Sequence, residues 1–175
     1  MDSKSSELRQ GNISLILDSY NDLFSDFDPR DYDERGVSDD FVAECKNAVR
    51  DKKEGFELRL LVPKRKRNRS DEAKIKKRVK EFFQHRFEDQ EKELLELRRE
   101  GSAWFILGAC AMFFAAILST QKGLGFNFLR VLTEPAGWFL MWSGLDKIFI
   151  APSKEKDTHN FYHRMVKAEV NFFSY

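Results

Sequence analysis

Apolar residues alternate in some stretches of this chain and run together in others, and each pattern predicts a different element. Asn12 to Tyr20 is rich in aliphatic and β-branched residues that partly alternate, which predicts a strand. Asp26-Phe27-Asp28-Pro29-Arg30 interrupts it, and a polar loop follows to Val37. Ser38 is placed as a helix N-cap, with Asp39 and Asp40 in a first turn where the helix dipole favours negative charge. Phe41, Val42, Cys45, Ala48 and Val49 give that helix an apolar face, and Gly55 ends the unit. Phe56 to Pro63 reads as a second strand, so the chain begins strand–helix–strand, the pattern of a parallel crossover.

After the basic run Lys64 to Arg69, Ser70 is expected to cap a long helix whose apolar positions Ile75, Val79, Phe82, Phe83 and Phe87 recur at helical spacing. No Pro or Gly interrupts it before Gly101, so it is expected to run as a stalk into the next segment. Ala103 to Thr120 is apolar on every face. About 18 residues at ~1.5 Å rise give roughly 27 Å, close to the hydrocarbon thickness of a bilayer. Phe126 to Ala151 is long enough to return, although it contains Arg130, Glu134, Asp146 and Lys147. Two arrangements suit it. In the expected one, Thr133 caps a helix that opens with Glu134 and Pro135; in the other, the helix starts near Phe126, bends at Pro135 and pairs Arg130 with Glu134. A helix from Pro152 to about Lys167 and a strand from Ala168 to Tyr175 close the chain.

The expected fold is thus mostly helical: a small cytosolic α/β domain of about three strands, completed by the C-terminal strand, plus a two-helix transmembrane hairpin. Its expected divisions are an α/β domain over 1–69, a stalk helix over 70–101, the hairpin over 102–151, and a cytosolic helix and strand over 152–175. Charge refines this picture. Charged residues make up 34% of the chain with a net charge of +1, so bulk charge implies no nucleic-acid partner. Their segregation matters more, since Lys122 is the only ionisable side chain between Ser102 and Leu129 apart from the Cys110 thiol. Arg98 and Arg99 precede the first apolar run and Lys147, Lys154 and Lys156 follow the second, which puts both termini in the cytoplasm of a multi-pass protein of the inner or plasma membrane. Met1 to Gln10 is polar and has no apolar leader segment.

The candidate chemistry is sparse. No P-loop, GxSxG, HExxH or dinucleotide fingerprint is present. The aspartates Asp18, Asp22, Asp26, Asp28, Asp31, Asp33, Asp39 and Asp40 match no calcium-loop spacing and are expected to cap and solvate turns. His159 and His163 share a helix face without an evident third metal ligand, so no metal or cofactor is expected. Lys64, Arg65, Lys66, Arg67 and Arg69 are candidates for contact with anionic lipid or phosphate. Arg130 and Glu134 are the polar candidates at membrane depth, where an uncovered charge is costly. Gly101, Gly108 and Ala115 recur every seventh residue and allow close approach of another helix, from this chain or from a second copy.

Together these features imply a small homo-oligomeric integral membrane protein, a pore or signal-gated effector assembled through its cytosolic domain, and not an enzyme. The alternative is an anchor or scaffold that recruits a cytosolic protein or anionic lipid through its basic loop. A metal-dependent activity of the aspartate loop is the remaining alternative.

Overall fold

The computed structural model describes residues 12–50 and 55–175; the segment Met1 to Gln10, read above as polar, lies outside them. The chain forms two compact units, Met1–Glu88 with Thr158–Tyr175, and Asp89–Asp157. The elements in order are β1 (Ile13–Ile16), a 3-10 turn (Tyr20–Leu23), α1 (Asp39–Val49), β2 (Glu57–Val62), a short 3-10 turn (Lys64–Lys66), α2 (Arg69–Ser119), α3 (Leu124–Leu145), a π turn (Asp146–Ile150), α4 (Ala151–Lys167) and β3 (Glu169–Ser174). The protein is therefore mostly helical with one small sheet.

That sheet has the order β1-β2-β3 and is parallel throughout. Ile13 pairs with Leu58, and Leu58 in turn with Val170, so the strand expected at the C-terminus does complete the sheet. The central strand alternates as Glu-Leu-Arg-Leu-Leu-Val. Leu58, Leu60 and Val62 are wholly buried, while Glu57, Arg59 and Leu61 on the opposite face are half-buried. Burial of each such aliphatic side chain stabilises by about 1.5–3 kcal/mol. Phe41, Cys45 and Val49 of α1, Ile75, Val79 and Phe83 of α2, and Phe161 and Met165 of α4 pack onto the inner face. The helical spacings read from the sequence are those that meet this core.

Several boundaries differ from the expectations. β1 stops at Ile16, because Asp22 folds back and accepts hydrogen bonds from the backbone N–H of Asp18 (2.7 Å) and of Ser19 (3.0 Å), turning the chain into the 3-10 segment. The cap of α2 is Asn68 rather than Ser70. Its side-chain oxygen accepts from the Ser70 N–H at 3.0 Å, and its carbonyl accepts from the Glu72 N–H at 2.9 Å. α3 takes the arrangement that was not preferred. It begins at Leu124 and carries Pro135 inside it, and Thr133 donates its hydroxyl to the Leu129 carbonyl at 2.8 Å instead of capping. Pro152 is the second residue of α4, within a residue of where that helix was expected to open, and a π turn joins α3 to α4 just before it. Proline cannot bond the carbonyl four residues back and crowds it, and the wider i→i+5 turn just before it takes up that strain.

The long apolar element is one continuous helix of 51 residues that includes the expected stalk. Among the described residues α2 alone is long and apolar enough to cross a membrane, and only 22% of its apolar window is buried within the chain, unlike the core helix of a soluble protein. Arg130 and Glu134 leave α3 short of the same measure. The expected two-helix transmembrane hairpin narrows to this single candidate span.

Candidate functional site

In the unit Asp89–Asp157, glycines decide how the helices meet. Gly101 lies against the Gly144 carbonyl, and Gly108 against the Met141 amide and the Gly137 carbonyl, so α3 runs antiparallel along the second half of α2. A β-carbon at Gly108 would stand 2.5 Å from the Met141 nitrogen, and one at Gly144 would stand 2.6 Å from the Gly101 oxygen. Backbone meets backbone, the geometry that small residues permit in an apolar medium. Ala115 is 1% exposed on the same stripe. Gly101, Gly108 and Ala115 thus face the chain's own α3. Their partners Gly137 and Gly144 escaped the sequence reading, although they too are seven residues apart. At one end of this contact Lys147 donates to the Glu100 carboxylate, which also accepts the Trp104 indole N–H at 3.2 Å.

The outward surface of this unit is apolar. Ile106, Phe113, Leu124, Phe128, Val131, Trp138, Phe139 and Phe149 are all more than half exposed. Within that surface Arg130 and Glu134 form an ion pair one helical turn apart, at 3.1 Å, with side chains 42% and 44% exposed. Counting from Leu124, Glu134 lies roughly 15 Å along the helix, about half a bilayer's hydrocarbon thickness.

In the other unit, the basic run beyond β2 divides into two groups. Arg67 makes a two-pronged pair with Glu72, at 2.7 and 2.9 Å, and also donates to the Phe172 carbonyl at 3.3 Å. Glu72, 9% exposed, also accepts the Tyr20 hydroxyl at 2.9 Å, and the Asn68 N–H donates to that same hydroxyl at 2.9 Å. Lys66 donates to the Asp18 carbonyl at 2.9 Å. This network ties together the C-terminal ends of β1, β2 and β3 and the first turn of α2. The Arg67 guanidinium, and after it the Tyr20 hydroxyl, hold the Glu72 carboxyl below its ordinary range against the opposing effect of burial. Lys64, Arg65 and Arg69 remain exposed beside it. Nothing local in the sequence marked the role of Glu72. Its partners come from positions 20 and 67, which only the folded sheet brings near.

The aspartates serve turns. Asp28 accepts from Arg30 at 2.7 Å and from the Gly36 N–H at 2.7 Å, and the Asp31 carbonyl accepts from the Arg35 N–H at 2.9 Å. His159 and His163 stack nearly parallel with ring centres 6.4 Å apart, and both lie against Phe87. Among the described residues no group of three His, Cys, Asp or Glu is placed to hold a metal ion. Cys45 is fully buried in the core, and burial pushes its thiol up to about 12, far from a reactive thiolate. In comparison with known proteins, the chain matches no family model, no curated protein and no solved structure.

Proposed function

We propose that this chain is a homo-oligomeric integral membrane protein whose α2 crosses the bilayer, whose α3 returns beside it, and whose α/β unit lies in the cytoplasm with both termini. The assembly acts as a pore or signal-gated membrane effector. The observation that carries this reading is the Arg130–Glu134 pair, nearly half exposed on a surface otherwise made of Phe, Leu, Val and Trp. A charged pair facing hydrocarbon is costly, and an ion pair within one helix does not remove that cost. Neighbouring copies that bury the pair, or a water-filled path lined by it, do. The glycine stripe gives oligomerisation no support, because α3 already occupies it. The cost of the exposed charges supplies that support instead.

The test is the mass of the intact chain in lipid nanodiscs together with ion flux in liposomes. A multiple of the 20.6 kDa chain mass, with flux abolished by Glu134→Ala, is the expected result. A strict monomer without flux ends the proposal. Sidedness is read separately with a membrane-impermeant maleimide in a Cys45→Ala/Cys110→Ala background. A cysteine at Phe27 should label only from the cytoplasmic side and one at Lys122 only from the opposite side.

The anchor reading has its own support in Lys64, Arg65 and Arg69, which stay exposed while Lys66 and Arg67 are engaged inside the chain. A monomer that binds anionic vesicles, and releases them in salt or on neutralising those three residues, favours that reading.

A further inference from the structure

One edge of the sheet carries a groove whose features point to a specific kind of ligand. Among the described residues β3 pairs only with β2. The N–H groups of Glu169 and Tyr175 donate to Phe56 and Val62, and the Tyr175 carbonyl accepts from Lys64. Odd-numbered residues of β3 therefore satisfy the sheet, and the backbone groups of Val170, Phe172 and Ser174 point outward, the Phe172 carbonyl already accepting from Arg67 at 3.3 Å. An edge strand with outward N–H and C=O groups is a template for another extended chain. A groove of about 370 Å³ runs along this edge between β3, from Val170 to Phe173, and Glu72, Ala73 and Lys76 of α2. On α2 the groove meets Glu72, Ala73 and Lys76, with Lys76 donating to the Asn171 side-chain oxygen at 3.0 Å, and Arg69 and Lys80 continue the exposed stripe of Ala73 and Lys76 beyond it. Of the carboxylates nearby, Glu72 is paired with Arg67, and Glu57, which feels the charge of Lys76, is paired with Arg59. The wall is accordingly cationic, and the strand beside it offers the outward backbone groups of Val170 and Ser174 and the Phe172 N–H, unpaired among the described residues.

We infer that this groove binds an extended acidic peptide, which adds to β3 as a fourth strand and sets its carboxylates against Lys76, Lys80 and Arg69. Both features are needed to select this ligand. Anionic lipid would satisfy the ammonium groups but not the strand's N–H and C=O groups. A second copy of this chain, paired β3 to β3 about a two-fold axis, would bring the two cationic stripes face to face, and like charges so placed repel. An acidic strand satisfies both at once, by the β-addition mode of peptide recognition. This inference is independent of the oligomeric reading above, because it concerns only the unit that contains the sheet.

The experiment uses the full chain in detergent micelles and a fluorescein-labelled, end-blocked octapeptide of alternating glutamate and valine. Saturable binding by anisotropy is expected, together with slowed amide exchange at Val170, Phe172 and Ser174. Affinity should fall at least about tenfold for the matching lysine–valine peptide and for the Lys76→Glu/Lys80→Glu variant. A peptide N-methylated at alternate residues, which cannot form the ladder, should also bind at least about tenfold more weakly, and this arm requires no altered protein. Equal binding of the lysine or N-methylated peptide overturns the inference, as does no saturation up to about 1 mM. Protection of the three amides that rises with protein concentration alone places a second copy on the edge and overturns it too.

Discussion

Replacing Gly108 by alanine would put a methyl carbon 2.5 Å from the Met141 nitrogen and 2.7 Å from the Gly137 oxygen. Both are backbone atoms, so no rotamer change relieves the clash. Ordinary contact begins near 3.4 Å, and the difference from 2.5 Å requires α2 and α3 to part by 0.9 Å. A gap of that size forfeits about a quarter to a half of the dispersion energy along the seam. Forcing volume into a packed contact costs about 1–3 kcal/mol, while alanine's advantage over glycine within a helix returns about 1 kcal/mol. Gly108→Ala should thus lose about 0–2 kcal/mol net, and Gly108→Leu, which needs still more room, should lose about 2–3 kcal/mol. Gly125→Ala is the control, because nothing lies within 4 Å of its β-carbon; it should be neutral or slightly stabilising. Trp104, Trp138 and Trp142 are the chain's three tryptophans, and all lie in the unit Asp89–Asp157. Their fluorescence during SDS titration in mixed micelles therefore reports on this contact without the sheet contributing. Equal SDS midpoints for Gly108→Leu, Gly125→Ala and the unaltered chain would refute the close-contact argument.

The strand-end network predicts acid sensitivity of the sheet. Glu72 is held below its ordinary value of 4.5, so its stabilisation is fully present above that pH and is lost as pH falls through the lower folded value. Amide exchange in β1–β3 should accelerate below about pH 4.5, and Glu72→Gln should abolish that dependence while costing about 1–3 kcal/mol at neutral pH. A Gln variant with unchanged acid sensitivity would assign the effect to other carboxylates. Cys45, buried and raised to about 12, should resist maleimide at pH 7–8 in a Cys110→Ala background until denaturant is added; rapid native labelling would show that the core opens.

What local pattern can specify was readable before any coordinates. Alternation over Phe56 to Val62 and the 3.6-residue spacing of Ile75, Val79 and Phe83 depend only on which face of an element is buried, so the three strands and the core-facing helices were legible. The unbroken apolar helix over Ala103 to Thr120, long enough to cross a bilayer, was legible for a similar reason, since a helix apolar all round has no alternative face to offer water. Where helices end was harder, because competing caps differ by little. Asn68 displaced Ser70, and Leu124 rather than Thr133 marks the start of α3, since an interior proline costs less when its neighbours can pack around it. Tertiary structure alone decided the partnerships. Gly108 is small in any reading, but only the antiparallel return of α3 shows that its smallness serves this chain's own contact. Arg67 and Glu72 are five residues apart, yet they join one network only because a parallel sheet brings Tyr20 and Phe172 to the same end of its strands. Side-chain type and spacing act along the chain, whereas charge burial and backbone proximity depend on segments that are distant in sequence and adjacent in space.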